Sequence, residues 1–150
     1  TAAYVEIEAT YLVPEGSPLN TIEDVDAEGV RIAVSGRSAY DLYLSRSLKH
    51  AELHRAQGLP GALELFMAEK MDALAGLRPA LTGDLDKVPG GRILDGQFTA
   101  VQQAVGTART KPEAAAYLSD VVEDAKASGL IARLIEKHKV VGRLSVAGTA

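Results

Sequence analysis

The chain has 150 residues, of which 47% are hydrophobic and 24% charged, and its formal net charge at pH 7 is −4. This composition is typical of a folded globular domain and excludes a disordered or fibrous chain. The acidic balance, with only 5% aromatic residues and no Trp, argues against a nucleic-acid-binding surface. Because the sequence has no Cys, it contains neither disulfides nor thiolate metal sites.

Strands and helices are predicted to alternate along the chain. The first strand covers 4–13, where apolar residues alternate and then run continuously, and the second covers 30–34. Ser38, with Asp41 three residues later, predicts the capped start of a helix over 38–48. Further predicted strands are 52–56, 71–76, 92–94 and 98–106, and further helices begin after Gly58, at Arg78, at Lys111 and after Gly129. This alternation predicts an α/β fold with a mostly parallel sheet flanked by helices.

A short turn links the second strand to the capped helix and is the first candidate site. It consists of Ser35, Gly36, Arg37 and Ser38. Backbone N–H groups at a helix N-terminus, two hydroxyls and a guanidinium together form a suitable binding site for a carboxylate. The alternative is an ordinary strand-to-helix turn with an exposed arginine.

The order of these elements resembles the periplasmic solute-binding proteins of ABC transporters, of the polar amino acid type (family 3). The matching segments are 4–14 as a strand entering the second lobe, Ile22-Glu23-Asp24-Val25 ahead of 29–34, the turn and helix at 35–44, the run 69–76, and the closing run 127–135. The resemblance covers nearly the whole chain, and it lies in the order of loose motifs.

The resemblance implies two α/β lobes that close over a solute, a type II periplasmic-binding-protein-like fold. Residues 1–106 would form lobe two with its crossing strands, and residues 107–150 a helical segment that returns to lobe one. The first part of lobe one then has no counterpart in this chain. The implied function is extracytoplasmic capture of a small anionic or zwitterionic solute for an ABC importer, with its membrane subunits as partners, no cofactor, no metal and no catalysis. A periplasmic location follows, the signal peptide having been removed.

A second candidate patch follows the predicted strand at 71–76. It contains Gly76 and Arg78 as candidate ligand-binding residues, with Leu77 between them. Family members that bind α-amino acids commonly offer an Asp to the ligand ammonium in this neighbourhood, and here its counterpart is Leu77. A buried ammonium without an anionic partner is costly. Either the ligand is not an amino acid, or the missing lobe supplied the charge. Arg78 could equally face solvent at a helix start.

The helix predicted from Pro112 to Ala127 has an apolar face that would normally cover a sheet absent from this chain. We expect this face to be buried by a second copy, which gives a homodimer, or by rearrangement.

Two other classes of function stay open. Cyclohexadienyl dehydratases are similar to these binding proteins, and such an enzyme needs a general acid or base, for which Asp41 and Glu69 are the available carboxyls. A ligand-sensing domain of a receptor or regulator is the third reading. The sequence contains no dinucleotide, nucleotide-triphosphate or common hydrolase motif.

Overall fold

The computed structural model describes residues 1–148. Its strands are β1 (Ala3–Val13), β2 (Arg31–Ser35), β3 (Glu52–Ala56), β4 (Ala73–Leu77), β5 (Arg92–Ile93), β6 (Thr99–Ala104) and β7 (Ser145–Val146). Its α-helices are α1 (Ala39–Ser47), α2 (Gly58–Ala68), α3 (Arg78–Asp84), α4 (Pro112–Ala127) and α5 (Leu130–Lys137). The predicted strands and helices are all present, with ends shifted by one to three residues in most cases. No helix among residues 1–148 combines the length and the apolar character needed to cross a membrane.

The chain forms two compact units, and β1 passes from one into the other. The central unit is Glu8–Thr99, and the terminal unit combines Thr1–Ile7 with the chain from Ala100 onward. The predicted assignment of 1–106 and 107–150 to two lobes stays a prediction.

In the central unit the strand order is β3-β2-β4-β1-β5. β2 is parallel to both β3 and β4. β1 is antiparallel to β4, with Ala9 opposite Leu77, and antiparallel to β5. The α/β class with flanking helices is confirmed, while the sheet is mixed rather than mostly parallel. Parallel neighbours need a crossover connection, and here α1 links β2 to β3 and α2 links β3 to β4, whereas β1 lies outside these crossovers.

Apolar layers cover both faces of this sheet because the side chains of β2 alternate. Ile32 and Val34 belong to one layer, which includes Tyr40 and Leu44 of α1. Ala33 belongs to the other, with α2 residues such as Phe66. α1 and α2 therefore lie on opposite faces of the sheet.

The terminal unit contains the first half of β1, β6, β7, α4 and α5. Val5 of β1 pairs with Val146 of β7 in antiparallel register. β7 was not predicted from the sequence, since two exposed residues carry no strand periodicity.

Candidate functional site

The carboxyl ends of the parallel strands β2, β3 and β4 lie at one edge of the central unit's sheet. β2 ends at Ser35, β3 at Ala56 and β4 at Leu77. After β2 the chain crosses by α1 to β3 on one side, and after β3 it crosses by α2 to β4 on the other side of β2. α1 follows β2 and α3 follows β4, and they belong to the apolar layers on opposite faces of the sheet. The boundary between β2 and β4 is therefore a topological switch point, where open α/β sheets bind ligands. Both predicted patches, 35–38 and 76–78, lie at this edge.

The turn at 35–38 is held by its own hydrogen bonds. The Gly36 N–H donates to the carbonyl of Ala56 at 2.9 Å. The Ser38 hydroxyl caps α1 by accepting from the Asp41 N–H at 3.1 Å, and it donates to the Ser35 carbonyl at 2.8 Å. The predicted cap from Ser38 is confirmed. The Ser38 hydroxyl and the Gly36 N–H are therefore already engaged within the fold.

Two backbone N–H groups at the start of α1 form no hydrogen bond within the fold. The N–H groups of Ala39 and Tyr40 have no acceptor among residues 1–148, and Ala39 is exposed. These are the orphan donors of a helix N-terminus, where the helix dipole also favours negative charge. The start of α1 can accept an anion there.

Arg37 stands beside these donors in an unusual backbone conformation. Its φ is 65°, in the left-handed region, which costs a non-glycine residue about 1 kcal/mol or more. Its N–H donates to the Asp41 carboxylate at 2.8 Å, and its exposed guanidinium has no acceptor within the described part of the chain. The side chain is therefore free to bind an anion.

Each of the three parallel strands carries an arginine close to its carboxyl end, and only Arg37 lacks an acidic partner. Arg55 of β3 donates to Asp41, with Nε 3.0 Å from Oδ1. Arg78, the first residue of α3, pairs with Glu8 of β1. Because these two charges are neutralised locally, the positive potential of this edge comes mainly from Arg37 and the start of α1.

Asp41 is a structural carboxylate within this edge. It is buried, and it accepts from Arg55, from the Arg37 N–H and from the Ser45 hydroxyl. Burial acts to raise the pKa of Asp41, but the hydrogen bonds from Arg55 and Arg37 outweigh it and hold the pKa below its ordinary value. Asp41 is therefore ionised at neutral pH and fixes the turn.

The second patch is more enclosed than the first. Gly76 is buried beneath α3, and a Cβ there would lie 3.0 Å from Leu81 Cδ2. The guanidinium of Arg78 also donates to the carbonyl of Gly96, in the loop between β5 and β6. In this structure Gly76 allows the close approach of α3, and Arg78 ties that loop to β1.

Tyr40, in the first turn of α1, is a residue that the sequence analysis does not single out. Its side chain is 4% exposed and its hydroxyl has no hydrogen-bond partner among residues 1–148. Burial raises the pKa of Tyr40, against the opposing effect of the nearby Ser38 and Ser35 hydroxyls. The sequence gives one signal for it, since Tyr40 is the second residue after the cap Ser38.

Known proteins resemble the chain in structure alone. No protein-family model matches the sequence, and no curated protein matches it. A putative binding component of an ABC transporter from Wolinella succinogenes DSM 1740, solved with lysine, is 18% identical with a TM-score of 0.72; the match covers 91% of this chain and 60% of that one. The fold is that of the periplasmic solute-binding proteins.

Two further solved binding proteins are similar to this chain in structure. The P235GK mutant of ArgBP from T. maritima is 19% identical with a TM-score of 0.65, over 91% of this chain and 59% of that one. The cysteine-binding protein from Campylobacter jejuni is 12% identical with a TM-score of 0.66, over 91% and 54%. The predicted resemblance is confirmed at the level of the fold, and the chain spans 54–60% of the length of these periplasmic-binding-protein structures.

Proposed function

We propose that the chain binds a small carboxylate-bearing solute, as part of solute capture for an ABC importer. The observation that carries this proposal is the group of unpaired donors at the switch point: the Arg37 guanidinium and the N–H groups of Ala39 and Tyr40. A guanidinium matches a carboxylate with two parallel hydrogen bonds. The solved proteins that share the fold include binding components of ABC transporters, which supports the same class of function.

Arg37 supplies most of the expected binding energy at this edge. The field of a helix end contributes about 0.3–1 kcal/mol, whereas a hydrogen bond to a charged group contributes about 1.5–3 kcal/mol. Ser35, Gly36 and Ser38 shape the turn that presents Arg37. Gly76 and Arg78, which lie at the end of the neighbouring strand β4, stay part of the proposal, although Arg78 is paired with Glu8.

Two carboxylates at this edge, Glu8 and Asp41, are already engaged by arginines. Leu77 stands at the end of β4, Glu8 is paired with Arg78, and Asp41 is paired with Arg55. We propose that this edge contacts only the carboxylate half of the solute. We therefore expect weak binding by this chain, since it spans about 60% of the length of the binding proteins it resembles. The periplasmic location and the transporter's membrane subunits as partners belong to the same proposal.

Calorimetric titration tests the proposal with L-lysine, L-glutamine, L-cysteine and succinate as probes. The first three carry an ammonium and succinate does not, so the set also reports which chemistry is preferred. We expect Arg37→Gln to weaken binding at least about tenfold, the effect of 1.4 kcal/mol. Arg46→Gln is the matched control because Arg46 is exposed on the last turn of α1. Equal losses in both variants, or no saturable binding of any probe to the unaltered chain, would contradict the proposal.

A dehydratase-like activity receives no support from the two carboxyls considered for it. Asp41 is ionised and fully engaged by Arg55 and the turn. Glu69 follows α2, and its carbonyl accepts from Arg31 at the beginning of β2, at the opposite edge of the sheet. One solved relative in fold is described as an ancestral amino acid-binding protein that preceded cyclohexadienyl dehydratase, at 18% identity with a TM-score of 0.66 over 90% of this chain and 59% of that one. It shares the fold.

A further inference from the structure

The Tyr40 hydroxyl is a buried polar group that the fold leaves without a hydrogen bond. Such a group loses its hydrogen bonds to water on folding and recovers nothing, so it lowers the stability of the free protein. A phenylalanine would fill the same space in the apolar layer, where Tyr40 packs with Leu44 and Val34. Packing therefore accounts for the ring of Tyr40 and does not account for its hydroxyl.

The side chains of Ser38 and Ser35 are the polar groups that act on this hydroxyl, although neither meets hydrogen-bond geometry with it in the structure. The Ser38 hydroxyl already donates a hydrogen bond to the Ser35 carbonyl and accepts one from the Asp41 N–H. The Ser35 hydroxyl has no hydrogen bond among the described residues, and unlike that of Tyr40 it is not fully buried. Ser35 is thus the neighbour whose hydroxyl can both accept a hydrogen bond from the Tyr40 O–H and donate one of its own outward.

We propose that Tyr40 is a positioning residue for the solute carboxylate, acting through Ser35. In the bound state the Tyr40 O–H donates to Ser35 Oγ, and the Ser35 O–H donates to a carboxylate oxygen held by Arg37 and the start of α1. This inference rests on the proposed function and deepens it. A chain of hydroxyls whose last proton points outward favours a solute group that only accepts hydrogen bonds, and it disfavours an amide or ammonium at that point.

The free protein carries the unpartnered hydroxyl, and the bound protein uses it. Removal of the hydroxyl should therefore have opposite effects on the two states. The free protein should become equally or more stable, while its affinity for a carboxylate should fall. A hydroxyl with a merely structural role would not divide its effects in this way.

The experiment compares Tyr40→Phe with Tyr11→Phe, using succinate and L-glutamine as probes in calorimetry and thermal unfolding as the stability measurement. Tyr11 is the matched control because it is equally buried in the same apolar layer but belongs to β1. For Tyr40→Phe we expect an unchanged or higher melting temperature and about a three- to tenfold weaker affinity, the fold-change of one hydrogen bond. Tyr11→Phe should leave the affinity unchanged.

Ser35→Ala and the double variant complete the test. If Tyr40 acts through Ser35, Ser35→Ala weakens binding and the addition of Tyr40→Phe weakens it no further. If the losses of affinity from the two substitutions multiply in the double variant, Tyr40 does not act through Ser35. Wild-type affinity in Tyr40→Phe, or a lower melting temperature, would overturn the inference and leave the proposed function intact. Failure of the unaltered chain to bind either probe would overturn both.

Discussion

The central and terminal units differ in how fully they bury their apolar residues. In the central unit both faces of the sheet are covered, one by a layer that includes α1 and the other by a layer that includes α2. In the terminal unit only Val5, Val122, Ile135 and Ala147 are buried apolar residues among those the structure describes. Large apolar side chains of α4 and α5 stay exposed instead. Buried apolar area is the main source of folding free energy, so we expect the central unit to dominate stability.

The exposed apolar surface of the terminal unit includes a groove of about 540 Å³. Tyr4, Val5 and Ile7 of β1 line one side, and Ile131 and Leu134 of α5 line another. The candidate site, in contrast, lies entirely on residues of the central unit. The central unit therefore contains both the larger apolar core and the candidate site, whereas the terminal unit leaves an apolar groove open.

The largest expected effect is a difference in stability between two identical truncations. Leu12→Ala removes a fully buried side chain of the central unit, and we expect it to lower the free energy of unfolding by about 3–5 kcal/mol. Leu134→Ala removes a side chain in the groove that is 39% exposed, and we expect a loss below about 1 kcal/mol. Urea unfolding followed by circular dichroism measures both. Similar losses would show that the groove is covered in solution.

A smaller effect is expected at the turn, from Asp41→Asn. The substitution weakens the bonds from Arg55 and the Arg37 N–H, and we expect it to cost about 1–3 kcal/mol near neutral pH. Because the folded-state pKa of Asp41 lies below the ordinary value of 3.8, its charge stabilises the fold above that pH. This stabilisation is lost as the pH falls through the folded-state pKa.

Thermal unfolding between neutral and acidic pH measures this contribution. The unaltered chain should lose stability toward acid more steeply than Asp41→Asn, and the two should converge at low pH. Ser45→Ala is a milder control, since it removes one neighbour of Asp41 and keeps the charge. Parallel curves for the unaltered chain and Asp41→Asn would contradict the role assigned to this carboxylate.

The smallest effect on stability is expected at α4, where we propose that the apolar face pairs with a second copy. Tyr117 and Val121 are 69% and 44% exposed. Val121→Glu should shift the protein toward monomer in sedimentation velocity while changing stability by less than about 0.5 kcal/mol. Ala116→Glu is the control, because five residues along a helix bring the side chain to the opposite face. A monomeric unaltered chain that binds no apolar dye would refute the pairing.

Local signals predicted much of the fold and part of the site. Ser38 and Asp41 predicted the start of α1 because a cap depends only on residues three positions apart. The strands followed from apolar runs bounded by turns. The direction of β1 relative to β4 did not follow, since pairing across more than sixty residues leaves no local pattern.

The ion pairs within the site could not be predicted from the sequence for the same reason. Asp41 meets Arg55 only because β3 lies beside β2, and Arg78 meets Glu8 only because β1 lies beside β4. The sequence therefore proposed both Arg37 and Arg78, whereas of these two the structure leaves only the Arg37 guanidinium without an acidic partner. Tyr40 lies in the core, and its unpaired hydroxyl, on which the further inference rests, is visible only in the structure.

The most direct test of the candidate site is a titration followed by backbone amide NMR, with succinate as the probe. If a carboxylate binds between Arg37 and the start of α1, the amide signals of Ala39 and Tyr40 shift saturably and with a common affinity. These shifts disappear in Arg37→Gln and persist in Arg46→Gln. Unmoved signals at Ala39 and Tyr40, or saturable shifts confined to the α5 groove, would contradict the account.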